Sequence, residues 1–254
     1  MSNIAVRRAL ILLRYIVDHV DGLSIREASR DLGYSPTTVQ NTINAMKDQG
    51  FVVQDKQTEC YFLGPDAIKF GLAALNQLDL KKIAHPYVED LSEKTGETVF
   101  LAIAQGDQAI YIDKFVSRQE LRMDAPVGAH RPYNCTAAGK ILLQNFSDEE
   151  IKALAVKGAF TARTSNSLTE LPIIKEEIET IKNQGWARDN EEFYQGAGCV
   201  AAPIYDDEGN LIAAITVSGP VRRVNENFDD VLEKTKAAAL AISEAMGYQT
   251  KVLV

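Results

Sequence analysis

Cysteine, histidine and tryptophan are scarce: three, three and one in 254 residues. Cys60, Cys135 and Cys199 stand far apart, as do His19, His85 and His130. No metal-ligand spacing or C-x-x-C redox pair results, so no metal and no cofactor is expected. The three cysteines read as reduced thiols of a cytoplasmic protein. No apolar run reaches about 18 residues, which leaves no membrane span. The opening stretch MSNIAVRRALILLRYIVDHV carries basic residues ahead of an apolar patch, but Arg14 interrupts the patch and no small-residue cleavage site follows. It reads as an amphipathic helix rather than a secretory signal. A G-x-S-x-G motif is missing, and Ala137-Ala138-Gly139-Lys140-Ile141 lacks the upstream glycine and following Ser/Thr of a phosphate loop. An excess of positive charge is missing too. The net charge is −8, yet residues 1–65 are neutral, with seven Lys/Arg against seven Asp/Glu. The negative excess lies in the rest, so a nucleic-acid module at this end starts with little non-specific attraction.

What is present is concentrated in SIREASRDLGYSPTTVQNTINAMKDQGFVV, residues 24–53. Ser24 with Glu27 three residues on makes a capping box. Ala28 and Leu32 give an apolar face, and Gly33 stops the helix. Ser35 and Pro36 start a second helix as N-cap and first helical residue. Val39, Ile43 and Met46 point inward at i, i+4, i+7. Thr37, Gln40, Asn41, Asn44 and Lys47 are left outside, rich in the hydrogen-bonding groups that read base edges. Phe51–Val53 and Tyr61–Leu63 then form a hairpin wing. The pattern is a winged helix-turn-helix.

Ahead of it, residues 4–20 predict a helix with Ala9, Leu10, Leu13, Ile16 and Val17 on one side. Behind it, residues 66–80 predict a linker helix striped by Ile68, Leu72 and Leu75. The remainder mixes helices (81–95, 136–145, from Ser147, 171–184, 228–246) with hairpin strands (98–104 with 109–115, 200–205 with 211–218). That mixture predicts an antiparallel sheet flanked by helices.

Several ordered segments together resemble the IclR family of bacterial transcriptional regulators over almost the whole chain. They are RALIL in the first helix, TTVQNTINAMKDQGFV, YFLGPDAIKFG, APVGAHRPYNCTAAGKILL, GWARDNEEFYQGAGCVAAPIYDDEGNLIAAITVSGP and AISEAMG. The resemblance implies an α+β protein with a winged helix-turn-helix DNA-binding domain (1–65), a linker helix (66–80) and a GAF-like effector-binding domain with an antiparallel sheet (81–250). It implies a homodimer or homotetramer that regulates catabolic genes, with a double-stranded DNA operator and a small organic acid as partners.

The DNA-binding set is Arg8, Ser35, Thr37, Thr38, Gln40, Asn41, Asn44 and Lys47, with Arg8 and Lys47 on phosphates. A solvated helix face is the rival reading of the arginine. By resemblance the effector set is Leu121, Met123, Gly128, Ala129, Asp189, Ala197, Cys199, Thr216 and Ser218. Thr216 and Ser218 alternate on a strand, so both hydroxyls share a face. Adjacent N–H groups at Gly128-Ala129 can grip a carboxylate. Each has a plainer reading: a loop glycine, a buried thiol acting as a small hydrophobe, a solvated acid run after Asp189, surface positions for Arg122 and Arg131. Against the family pattern, Ala197 and Gly198 are small, which predicts a widened pocket and a larger effector. Asp55 and Glu59 occupy the wing where basic residues would aid contact. An enzyme with Cys199 or Cys135 as nucleophile, and a metabolite sensor that does not touch DNA, are the competing functions. The chain is expected not to be an enzyme, because no histidine is near Cys199 in sequence, although His130 is only five residues from Cys135.

Overall fold

A computed structural model describes residues 4–77 and 79–249. The chain divides into two compact units, Met1–Gln77 and Leu78–Val254.

The first unit holds α1 (Ile4–Val17), α2 (Ile25–Leu32), α3 (Pro36–Asp48), β1 (Val52–Gln54), β2 (Tyr61–Leu63) and α4 (Pro65–Gln77). Local chemistry sets its boundaries. Ser24 Oγ accepts from the Glu27 N–H while the Glu27 carboxylate accepts from the Ser24 N–H, closing the capping box, and Gly33 ends α2 in the left-handed region at φ 67°. Ser35 Oγ accepts from the Thr38 N–H at the start of α3. Leu12, Ile16, Leu23, Ala28, Val39, Ile43, Met46, Val52 and Tyr61 form one core. Two expectations change here. Helix α1 buries Leu12 and Ile16 with Ala9 and Leu13 beside them, while Leu10 and Val17 are exposed. Its apolar residues span more than one face, and α3 and β2 cover only part of that width. The linker helix ends at Gln77, and Ile68 and Leu72 on it are exposed together with Phe70. Leu75 lies outside the residues whose side chains are described.

The second unit opens with α5 (Asp79–Thr95) and builds a six-stranded antiparallel sheet. Its strands are β3 (Thr98–Gln105), β4 (Gln108–Phe115), β5 (His130–Pro132), β6 (Ala187–Asn190), β7 (Ala197–Tyr205) and β8 (Leu211–Pro220), in the order β5-β4-β3-β8-β7-β6. Helices α6 (Ala137–Leu142), α7 (Asp148–Val156) and α8 (Leu171–Gln184) precede β6, and α9 (Val221–Glu226) and α10 (Phe228–Ala245) follow β8. Ala102, Ala201 and Ala214 on one sheet face share a core with Ile141 of α6 and Ile178 of α8. The alternate residues Val99, Leu101, Val200, Ile215 and Val217 are buried on the other face, as period-two side chains require, where α5 and α10 contact the strands. Residues 187–190, expected as loop, form the edge strand β6. Residues 130–132 and 221–226 are further elements that sequence pattern alone did not reveal. The expected domain end at residue 250 lies outside the described residues.

The small residues of α6 serve close packing. A Cβ at Gly139 would stand 2.7 Å from the Pro132 carbonyl oxygen and 2.7 Å from Tyr133 Cα. Both are backbone atoms and cannot swing away. Gly139→Ala is expected to cost about 1–3 kcal/mol through overpacking, read by urea unfolding from the fluorescence of Trp186, the single tryptophan.

Candidate functional site

In the first unit, α3 presents Thr37, Asn41, Asn44 and Lys47 to solvent and buries Val39, Ile43 and Met46. Ser35 and Thr38 are tied to each other: the Thr38 N–H donates to Ser35 Oγ at 3.2 Å, and the two hydroxyls are 2.8 Å apart. They shape the helix start. Gln40 is half-buried rather than turned fully outward. Its Nε2 donates to Asn44 Oδ1 and to Tyr61 Oη, both at 3.1 Å. Lys47 Nζ donates to Gln54 Oε1 at 3.4 Å, which joins α3 to the wing. The Arg8 guanidinium lies over the Tyr34 ring, 5.6 Å from its centre. In the wing, Asp55 Oδ1 accepts from the Gln57 and Thr58 N–H groups and the Thr58 hydroxyl. These bonds, those from Thr58 and Gln57 first, hold its carboxyl below the usual range. Asp55 thus builds the wing turn.

In the second unit, the pairing register assembles a row of polar side chains. Asp189 on β6 stands opposite Cys199 on β7, and Cys199 opposite Ser218 on β8. Directly opposed residues share a face, and Cys199 Sγ donates to Ser218 Oγ at 3.2 Å. Thr216, two residues back on β8, is on the same face and donates to the Val200 carbonyl at 3.1 Å. These four side chains line a cavity with Ala197, Met123, Arg131, Phe193 and the ring pair Phe100–Tyr111, whose centres are 4.3 Å apart. The start of α6, Thr136–Ala138, closes one side.

The cavity holds about 30 Å³, room for about two water molecules. Only one of the two small residues expected to widen it faces it. Ala197 lines the cavity, but Gly198 points the other way, where a Cβ would meet Val221 Cα at 3.1 Å. Leu121, Gly128 and Ala129 lie outside the lining. The Gly128 N–H donates to the Tyr111 carbonyl at 2.7 Å and the Ala129 N–H to the Pro126 carbonyl at 3.1 Å. Both N–H groups are therefore used within the protein, contrary to the expected carboxylate grip. Leu121 is exposed, and its carbonyl accepts from Arg223. Arg122 is exposed and donates to the Gln119 carbonyl.

Arg131 is the cation of the lining. Its guanidinium sits 5.2 Å from the Tyr111 ring centre and 5.1 Å from that of Phe193. Arg163 lies against the same Phe193 at 5.4 Å. Arg131 donates to the His130 carbonyl, and no carboxylate pairs with it among the described residues. Behind the cavity, Lys140 is buried and donates to Glu177 and Glu192, both at 2.8 Å. Burial opposes its charge, but the two carboxylates outweigh burial and raise its pKa. Glu192 Oε2 is buried with no partner among the described residues, and burial raises the Glu192 carboxyl. A lysine amid the apolar run of α6 was the sequence signal for this ion cluster. The aromatic members left no such signal.

Asp189 is 2% exposed. Its Oδ1 accepts the Glu192 N–H at 2.7 Å. Burial first, and the Glu192 charge after it, push its carboxyl up to about 7. Burial likewise pushes the Cys199 thiol well up and the Cys135 thiol to about 12. Both are neutral thiols at neutral pH, the opposite of an activated nucleophile. Among the described residues no helix is long and apolar enough to cross a membrane, and no group of three His, Cys, Asp or Glu could hold a metal ion.

Two family models match this chain. The IclR helix-turn-helix domain covers residues 5–56, and the bacterial transcriptional regulator IclR C-terminal domain covers residues 72–244. The chain belongs to the IclR family of bacterial transcriptional regulators. This IclR-family protein is 31% identical to the HTH-type transcriptional repressor AllR of Salmonella paratyphi A, across 98% of the chain and 92% of that protein. It is similar to the solved IclR of Thermotoga maritima, at 30% identity and a TM-score of 0.71 over 96% of this chain and 98% of the other. A putative IclR regulator from Silicibacter sp. TM1040 shares the fold at a TM-score of 0.86 and 24% identity, with 98% of both chains covered. The molecule is thus a DNA-binding transcriptional regulator with an N-terminal helix-turn-helix and a C-terminal effector domain. Its relatives are regulators rather than enzymes. The cavity falls within the C-terminal match.

The carboxyl of Asp189 gives the second unit a pH signature. Unfolded, it ionises near 3.8; folded, near 7. Between those values the native state holds the extra proton, so its contribution to stability falls as pH rises from about 4 to about 7. Asp189→Asn removes that slope. Between pH 5 and pH 7.5 the wild type should lose about 2–3 kcal/mol more than the variant, measured by urea unfolding at each pH. Parallel losses would deny Asp189 its raised pKa.

Proposed function

We propose that this protein is a repressor whose operator affinity is set by a small organic acid held in the cavity of the second unit. The carrying observation is the row Asp189–Cys199–Ser218 lining one cavity together with Arg131 and aromatic rings. An acid has two ends to satisfy there. The carboxylate meets Arg131, the lining cation with no protein carboxylate of its own, in a charge-assisted pair. The far end meets the Ser218 hydroxyl, the Cys199 thiol and the Asp189 carboxyl, which suit a hydroxyl or a hydrated carbonyl. Met123, Ala197 and Thr216 shape the remaining wall. With about 30 Å³ at hand, entry of any acid beyond the smallest requires Phe193 and its neighbour Tyr194 to move outward.

On DNA, Thr37, Asn41 and Asn44 of α3 read base edges in the major groove, with Arg8 and Lys47 on phosphates. Ser35 and Thr38 set the helix start that brings them there. The protein acts in the cytoplasm on genes of acid catabolism. It works as a homodimer or homotetramer. The exposed apolar residues Val6, Leu10 and Val17 of α1 and Ile68, Phe70 and Leu72 of α4 supply apolar surface for a second copy. A symmetric dimer requires two related half-sites.

The test is fluorescence anisotropy of the full chain on its own upstream intergenic DNA, titrated with short aliphatic and aromatic carboxylic acids. The expected result is saturable, salt-dependent binding that one acid shifts by about 5–150-fold. Arg131→Gln should abolish that shift and keep DNA affinity. Every acid silent, or an Arg131→Gln protein that responds like wild type, would overturn the reading. On the DNA side, Asn41→Ala should cost about 1–3 kcal/mol at one base position. An equal loss on every sequence would assign Asn41 to the backbone.

A further inference from the structure

Gln40 and Tyr61 are joined in a way the base-reading surface does not itself require. Tyr61 belongs to the wing strand β2, yet its ring is 4% exposed and sits in the core of the first unit. Its backbone is held on both sides, by pairing with Gln54 in β1 and by a bridge to Leu23. The hydroxyl therefore has a fixed position, and it accepts a hydrogen bond from Gln40 Nε2 on α3 at 3.1 Å. The same Nε2 donates to Asn44 Oδ1, also at 3.1 Å. A side-chain amide nitrogen carries two hydrogens, so Gln40 Nε2 is fully used. One turn further along α3, Asn44 is exposed.

What this leaves unpaired is specific: the acceptor Oε1 of Gln40 and the donor Nδ2 of Asn44. Exchanging the oxygen and nitrogen ends of both amides together leaves the same result, one acceptor beside one donor. Adenine offers a complementary pair in the major groove, the N6 donor and the N7 acceptor. Guanine offers two acceptors there, N7 and O6, one of which would face the amide acceptor. An Asn or Gln free to rotate has less power to tell these apart, because its own donor can turn to O6.

We infer that Tyr61 is a positioning residue for sequence recognition: its hydroxyl locks Gln40 and Asn44 into a single donor–acceptor face that selects adenine over guanine at one position of each half-site. This rests on α3 being the base-reading helix. Specificity is thus set in part from the wing, by a buried side chain that touches no DNA. Asp55 and Glu59 in the wing loop matter little to such a role, since it requires no wing contact with the groove.

The test is selection from a random duplex library by the full-length protein, comparing wild type, Tyr61→Phe, Asn44→Ala and the double variant. Tyr61→Phe removes one oxygen and keeps the ring. The expected result is an unchanged motif except at one adenine, where preference over guanine falls about tenfold. Asn44→Ala should lose the same position, and the double variant should lose no more than either single one. Gln40→Met, which keeps the side chain's length and removes its amide, should lose that position as well. Thermal melting of Tyr61→Phe close to wild type separates this effect from unfolding. A motif altered by Asn44→Ala and untouched by Tyr61→Phe would overturn the positioning role while leaving α3 as the reading helix. A motif untouched by Asn44→Ala and by Asn41→Ala would overturn both.

Discussion

The pairing register of β6, β7 and β8 is the constraint on which the cavity depends. Asp189, Cys199 and Ser218 are far apart in the chain and meet only because each is opposite the next across two strand pairs. Side chains alternate with period two, so a slip of one residue in either pair would turn a member of the row to the other sheet face. That other face is packed by Val200, Ile215 and Val217, which have no polar partners to offer. Apolar packing on one face thus holds the polar row in place on the other.

The row carries a cost that its surroundings offset. Asp189 and Glu192 are both buried near one another, and Lys140 supplies the cation behind them. Lys140 is shared between Glu177 of α8 and Glu192, so the segment 190–197 is tied to two helices. The hydroxyls of Thr164 and Ser167 add to this by donating to the Glu192 carbonyl. Burying charges is expensive unless they are paired, and burial pushes the Asp189 carboxyl up to about 7. Arg131 and Arg163 flank the lining residue Phe193.

Legibility followed the range of the interactions involved. The caps of α2 and α3 lie within four residues of chain, so Ser24, Glu27, Gly33, Ser35 and Pro36 announced them. Thr216 and Ser218 were legible as a pair because alternation along a strand is local. Asp189 was legible as a functional candidate by family resemblance, but its edge strand was not. A short run of polar residues followed by two glutamates looks like a solvated loop, and only the long-range pairing with β7 turns it inward. The same holds for Gln40, whose outward helical position is overruled by Tyr61 from a different element. Gly128 and Ala129 matched the family pattern, yet their N–H groups are bound to Tyr111 and Pro126, a nonlocal fact no spacing reveals. Gly198 is a simpler case: its small size suggests added room, while strand alternation points it at α9.

The proposed regulation joins an acid in the second unit to DNA read by the first. Hydrogen exchange of the full-length protein, with and without the acid that shifts its DNA binding, tests that claim most directly. The account predicts slowed exchange in residues 187–201 and 211–218 and around Arg131, the strands that carry the row and its cation. Slowed exchange confined to residues 4–63, with those strands unchanged, would place the acid outside the cavity and contradict the account.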